Sequence, residues 1–169
     1  MHRAVDFSRL QNDDEGVVDA YQRALAFDSN YLPALSGLGS HLGRAGKIAE
    51  AVPYLERAAK LAPNDSRALQ ALGVARVKEN KLQEARDLLL QSVRLNPRDL
   101  AIRIDLLKVR ISFKEWQLAR TEAMQLWRAA PGNQAVGALL PKILPNLSKP
   151  DQAKLKQEVE AVMRQARQR

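Results

Sequence analysis

Three prolines recur at a constant interval in this chain. Pro63, Pro97 and Pro131 are each separated from the next by 34 residues. Each follows a stretch rich in leucine, alanine and charged residues, which favour helix. Proline ends a helix because it has no N–H to donate and disfavours the helical conformation in the residue before it. The interval therefore predicts a tandem array of helical units.

The positions between the prolines repeat in the same register. Alanine recurs at 51, 85 and 119, leucine recurs at 38, 72 and 106, and Leu-Gly occurs at 38–39 and 72–73. Gly46, Asn80 and Lys114 fall at the expected turn within each unit. Upstream, Tyr21, Ala24 and Ser29 match only the second half of a further unit.

With these positions the sequence resembles the tetratricopeptide repeat family. The segment YLPALSGLGSHLGRAGKIAEAVPYLERAAKLAPN carries the family motif at nearly every marked position. The resemblance implies an all-α fold, a right-handed superhelical solenoid of antiparallel helix pairs. It divides the chain into a partial repeat at 1–31, full repeats at 32–65, 66–99 and 100–133, and capping helices at 134–169. The third repeat replaces Leu-Gly by Leu106-Leu107.

The register also predicts the helices and their contacts. The first helix of each full repeat should cover 32–45, 66–79 and 100–113, and the second should cover 48–61, 82–95 and 116–129. Ala51, Ala85 and Ala119 should allow close contact between paired helices, and Gly39 should lie at a close helix crossing. Leu38, Leu55, Leu72 and Leu89 should fill the space between the helices. Gly46 should turn the chain with a left-handed backbone, which glycine adopts at little cost.

The C-terminal segment has the features of a cap for the array. Pro141 should shorten or break a helix that begins near residue 134. Ser148 is placed to cap a helix over 149–168, with Asp151 three residues on, as in a capping box. Leu155, Val159, Val162 and Ala166 share one face of that helix, and charged residues occupy the rest. A polar outer face is expected at the end of a solenoid.

The residue inventory argues against catalysis, metals and cofactors. The chain has no cysteine, and His41 has no second histidine at helical spacing. The glycine-rich stretch SGLGSHLGRAGK lacks the Ser or Thr after Gly-Lys that a P-loop requires, and no strand pattern precedes it. The acidic run Asn12–Glu15 lacks the alternating ligands of a calcium loop and is expected to favour a helix start. We expect no enzyme activity and no cofactor.

Charge is unevenly distributed along the chain. Residues 1–65 carry 7 basic and 9 acidic side chains, whereas residues 66–133 carry 13 and 7. The basic excess suggests an acidic partner or nucleic acid. The 34-residue period and the lack of groove aromatics argue against nucleic acid, although RNA binding by a helical-repeat protein stays an alternative.

In the family that the sequence resembles, the concave face binds an extended peptide or a helix. The residues carried over as partner-binding combine apolar and basic side chains and suit an acidic, amphipathic segment. They are Arg44, Arg67, Gln70, Val74, Val77, Lys78, Ile104, Lys108 and Ile111. A carboxylate clamp is excluded, because its positions hold Ser36, Ser40, Ala71, Ala101 and Asp105.

The resulting expectation is a non-catalytic adaptor that binds a protein partner in its concave groove. Self-association, as a homo-oligomer or as a module of a larger chain, is a further alternative. No segment is expected to insert into a membrane, and a cytoplasmic location is favoured by the absence of a signal peptide pattern and of cysteine. The incomplete first repeat suggests that the sequence could be a fragment.

Overall fold

The computed structural model describes residues 14–168 of the chain. Seven helices of similar length come first in that range, a short broken segment follows, and a long helix closes it, without any strand. The helices are α1 Asp14–Phe27, α2 Leu32–Arg44, α3 Ile48–Leu61, α4 Ser66–Lys78, α5 Leu82–Leu95, α6 Leu100–Ser112, α7 Trp116–Ala129, α8 Gln134–Gly137, α9 Leu140–Ile143, a 3-10 turn Leu144–Asn146, and α10 Lys149–Arg167.

The helices pair and stack as the repeat predicts. The antiparallel pairs are α2 with α3, α4 with α5, and α6 with α7, and each pair packs against the next. The second helix of each pair has the predicted bounds, and the first ends one residue before the predicted end. The all-α repeat solenoid is therefore confirmed.

The first unit is described only in its second half. Helix α1 occupies the place of a second helix and packs against α2. Within the acidic run at 12–15, α1 begins at Asp14. The rest of the partial repeat, residues 1–13, lies outside the described residues.

Each full unit turns through a residue with a left-handed backbone. Gly46 has φ of 82°, as predicted, and Asn80 and Lys114 take the equivalent positions with φ of 61° and 58°. The turn thus keeps its conformation even where a side chain makes it less favourable. Between units, Asp65 and Asp99 accept backbone N–H groups at the starts of α4 and α6, which satisfies donors that the helices leave open.

The predicted core positions are buried. Ala51, Ala85 and Ala119 have no exposed surface, and Leu38, Leu55, Leu72 and Leu89 are all in the core. Each buried leucine contributes about 1.5–3 kcal/mol relative to an exposed one.

Gly39 lies where α2 crosses α3. A Cβ at Gly39 would lie 2.6 Å from Leu55 Cγ and 3.3 Å from the Ala51 carbonyl oxygen. Gly73 repeats the contact with Leu89, where a Cβ would approach Leu89 Cγ to 2.9 Å. The predicted close crossing is confirmed, and glycine permits it because it has no side chain.

Two substitutions in α2 test this crossing. We expect Gly39→Ala to lower the free energy of unfolding by about 1–3 kcal/mol, because Leu55 is buried and cannot move aside freely. Gly43→Ala is the matched control in the same helix, since no atom lies within 4 Å of its added Cβ. It should raise stability by about 0.5–1 kcal/mol through the lower entropy cost of alanine. Urea unfolding compares the two, and equal effects would contradict the crossing.

A buried arginine joins the first two full repeats. The Arg76 guanidinium in α4 pairs with Glu56 of α3, with Glu79 at 2.5 Å and with Glu84 of α5 at 2.9 Å. Only 10% of the Arg76 side chain is exposed, so these carboxylates must compensate the cost of burying its charge. Sequence periodicity gave no sign of this cluster: Arg110 is the equivalent arginine of the next repeat, but the positions equivalent to the three glutamates hold Leu90, Phe113 and Leu118 there.

The cluster predicts a loss of stability in acid. The hydrogen bond from Arg76 lowers the pKa of Glu79 below its ordinary value of 4.5. A carboxylate with a depressed pKa in the folded state stabilises the fold above its unfolded pKa, and this contribution disappears as pH falls through the folded pKa. Wild type should therefore be more stable than Glu79→Gln at neutral pH. This difference in the free energy of unfolding should shrink when the pH is well below 4.5. Urea unfolding at both pH values measures it, and a constant difference would contradict the assignment.

The C-terminal cap follows the prediction in most respects. Pro141 lies inside a segment divided into α8, α9 and the 3-10 turn. Ser148 caps α10 by accepting the Asp151 N–H at 3.3 Å, and its hydroxyl donates to Asp151 Oδ2 at 2.7 Å. Leu155 is fully buried, and Val159 and Val162 pack against the same core. Ala166 shares this face, since it lines a pocket with Val162, but it is exposed and does not pack on the core.

Candidate functional site

A cavity opens on the face formed by the first helices of the repeats. It has a volume of about 420 Å³ and lies between α2, α4 and the start of α6. Among the predicted partner-binding residues, this cavity brings together Arg44, Arg67, Gln70, Val74 and Lys78. We call this cavity the groove.

Small side chains create the space in the groove. Gly39, Gly43, Ala71 and Ala75 line it, together with Val74. Gly39 and Ala75 are buried, and Ala71 and Val74 are partly exposed. The same small residues that allow close helix packing therefore leave a shallow apolar floor, which can take up apolar side chains of a bound segment.

Two arginines at the groove have no partner within the described chain. Arg44 ends α2 and Arg67 lies in the first turn of α4, and both are exposed. Neither guanidinium makes a hydrogen bond or an ion pair with any residue of the range 14–168. They offer planar donors for carboxylates without first breaking an internal contact.

Lys78 and Lys108 are engaged inside the chain. The Lys78 ammonium donates to the Gly43 carbonyl oxygen at the end of α2, which links two neighbouring first helices. Lys108 donates to Asp105 Oδ1 at 2.8 Å and does not line the groove. A partner that binds either lysine would have to compete with these contacts.

The acidic residues near the groove are also bound internally. Gln70 donates to Asp105 Oδ2 at 2.8 Å, so Asp105 is shared between Gln70 and Lys108. Asp99 lines the groove and accepts the backbone N–H groups of Ala101 and Ile102, at 2.9 and 3.3 Å. The positive end of a helix offsets a charge in this position. The free charge that the groove presents is therefore that of Arg44 and Arg67.

Three of the predicted apolar anchors lie elsewhere. Ile104 is 8% exposed and belongs to the core between α6 and α7, and Ile111 packs against the same core. Val77 packs against Ala85, Leu89 and Leu106 at the boundary between two repeats. Helical spacing alone could not separate these faces, because a first helix packs against its partner and both neighbours and is apolar around most of its circumference.

Neither a metal-ligand cluster nor a membrane-spanning helix occurs among the described residues. No three His, Asp or Glu side chains there are grouped as metal ligands would be. Within the same residues, none of the helices combines the length and hydropathy needed to cross a bilayer.

Comparisons with known proteins identify the repeat. A family model described as tetratricopeptide repeat matches residues 37–99 and again 71–134. A search of curated protein sequences gives no significant match.

Solved structures with the same fold cover three quarters of this chain or more. A crystal structure of MamA is 22% identical, with a TM-score of 0.74 over 99% of this chain and 95% of that one. A MamA fragment from Desulfovibrio magneticus RS-1 is 20% identical, with a TM-score of 0.67 over 75% and 71%.

A crystal structure of YrrB, described as a TPR protein with an unusual peptide-binding site, is 13% identical, with a TM-score of 0.64 over 90% of this chain and 86% of that one. At these identities the structural likeness establishes the fold alone. The sequence match covers more than half of the chain and falls on the stacked pairs α2 to α7. The chain therefore belongs to the tetratricopeptide repeat family, whose members generally act as non-catalytic scaffolds for protein–protein interaction.

Proposed function

We propose that the groove binds an acidic, amphipathic segment of a partner protein. The observation that carries the proposal is the pairing of an apolar floor at Ala71 and Val74 with the two unpaired arginines, Arg44 and Arg67. Apolar side chains of the segment would fill the floor and provide affinity, and its carboxylates would meet the arginines and fix its direction.

The internal contacts refine the set of residues that act directly. Lys78 holds the end of α2, Gln70 donates a hydrogen bond to Asp105, and Lys108 offsets the charge of Asp105, so these residues shape the groove. Val77, Ile104 and Ile111 support it from the core. Peptide binding by YrrB, a protein of similar fold, is in keeping with this use of the surface.

A pull-down from lysate of the source organism tests the proposal. The double variant Arg44→Glu, Arg67→Glu reverses both free charges, and Lys114→Glu, Lys142→Glu makes the same change at exposed lysines outside the groove. Circular dichroism checks that both variants keep the helical fold. We expect wild type and the control to retain a protein with an acidic amphipathic segment, and the groove variant to bind it at least tenfold more weakly.

The same experiment separates the alternatives. Equal capture by the groove variant and the control would refute the groove as the site. Capture that disappears after ribonuclease treatment would favour RNA binding, and capture of the chain itself would favour self-association.

A further inference from the structure

Exposed apolar side chains are concentrated at one edge of the solenoid. In the described chain, four of the five exposed large apolar residues, Phe27, Tyr31, Leu61 and Leu95, lie where one repeat passes to the next. The fifth, Leu118, lies in α7, away from these connections. We call the surface formed by the four residues the loop edge.

The repeat places these side chains in a row. Phe27, Leu61 and Leu95 are the last residues of α1, α3 and α5, and they follow one another at intervals of 34 residues. Tyr31 immediately precedes α2. Since successive units stack in the same orientation, the ends of α1, α3 and α5 lie along the same edge.

The row projects from the surface and does not form a pocket. Phe27 is 96% exposed, so its ring has almost no contact with the rest of the chain, and Leu61 and Leu95 are more than 40% exposed. A protein partner would have to supply a separate pocket for each tip. A lipid interface can accept all of them without complementary shape.

Unpaired cations accompany the apolar row. Lys60 precedes Leu61, Arg94 precedes Leu95, and Arg98 follows in the next connection, and all three are exposed. Within residues 14–168 their side chains make no hydrogen bond or ion pair. Each connection also contains an aspartate that is bound to backbone: Asp28 accepts the Asn30 N–H at 2.9 Å, and Asp65 and Asp99 accept N–H groups at the starts of α4 and α6. The three cations beside the apolar side chains, in contrast, have no partner in the described range.

We propose that the loop edge docks on an anionic lipid surface. The apolar tips enter the interfacial region, and Lys60, Arg94 and Arg98 meet the anionic headgroups. No helix enters the bilayer. The groove is lined mainly by α2 and α4 and reaches the loop edge at Asp99.

Vesicle co-sedimentation with the full chain tests the proposal. Wild type should bind vesicles of phosphatidylcholine with phosphatidylserine and should not bind phosphatidylcholine alone. Phe27→Gln combined with Leu61→Gln should weaken binding by about tenfold or more, because two apolar side chains no longer leave water. Leu118→Gln is the matched control, since it removes an equally exposed leucine from another surface, and its binding should be unchanged.

The charge contribution is tested separately. Lys60→Gln with Arg94→Gln should weaken binding by roughly fivefold for each charge, and raised salt should have the same effect. Lys114→Gln, at a turn inside a repeat, should have no effect. The proposal is overturned if wild type does not bind the anionic vesicles, or if it binds both vesicle types equally. It is also overturned if Leu118→Gln loses as much binding as the double variant at Phe27 and Leu61. Melting temperatures equal to wild type show that each variant is folded.

Discussion

Ala85→Arg should unfold most of the solenoid under conditions in which wild type is stable. Ala85 has no exposed surface and packs with Leu89, Leu106 and Val109 at the junction of the second and third full repeats. An arginine there overfills the junction, and the cluster contains no carboxylate to pair with its charge. The expected loss is about 3–5 kcal/mol, which is a large part of the stability of an ordinary domain.

Circular dichroism during heating measures this loss. Ala129→Arg makes the same change at an exposed residue in the last position of α7, where a cation is favourable, and should melt within a few degrees of wild type. Unchanged melting of Ala85→Arg would mean that the helix pairs are not in the register described above.

Leu155→Asp should detach the terminal helix and leave the repeats folded. Leu155 is the one fully buried residue of α10, and it enters a core shared with Leu126, Val136 and Ile143. Truncation of such a leucine alone costs about 2–5 kcal/mol, and the buried carboxylate adds to that cost. The polar contacts of Arg120 with Asp151 and Glu158 are 3.6 Å or longer and partly exposed, so they cannot hold α10 in place alone.

Limited trypsin digestion measures the detachment of α10. In Leu155→Asp the enzyme should cut rapidly at Lys154, Lys156 and Arg164 and leave a resistant fragment that ends near the last repeat. Gln157→Asp introduces the same side chain at an exposed position of α10 and should be cut as slowly as wild type. Rapid cleavage throughout the chain would instead mean that the cap and the repeats unfold together.

The periodic part of the structure could be predicted from the sequence because one rule applies to every unit. Alanine at 51, 85 and 119 allows the two helices of each full unit to meet closely, and proline at 63, 97 and 131 ends each full unit. A constraint that every unit shares appears in the sequence as a residue that recurs at a fixed interval. The helix bounds could therefore be predicted from that register to within one residue.

Features that occur once could not be predicted in this way. Arg76 joins Glu79 at the end of its own helix to Glu56 of α3 and Glu84 of α5, and no spacing rule brings these four together. Gly37 had no explanation from the motif, but the ring of Tyr21 in α1 lies against it.

Only part of the groove could be predicted from the sequence, because its position repeats from unit to unit but its individual contacts do not. Its position on the first helices follows from the repeat, and Arg44, Arg67 and Val74 line it. The sequence could not show that Ile104 faces the core or that Lys78 is bound to the Gly43 carbonyl, because both depend on how the units rotate against each other. The unpaired state of Arg44 and Arg67 is the property that distinguishes them, and only the structure reveals it.

Site-specific photo-cross-linking in cells of the source organism tests the central claim most directly. A photoreactive phenylalanine analogue at Val74 lies on the groove floor, and the same analogue at Leu118 samples an exposed surface outside it. We expect a protein adduct from position 74 that is absent from position 118 and is lost when Arg44→Glu and Arg67→Glu are added. No adduct at position 74, or the same adducts at both positions, would contradict a partner held in the groove.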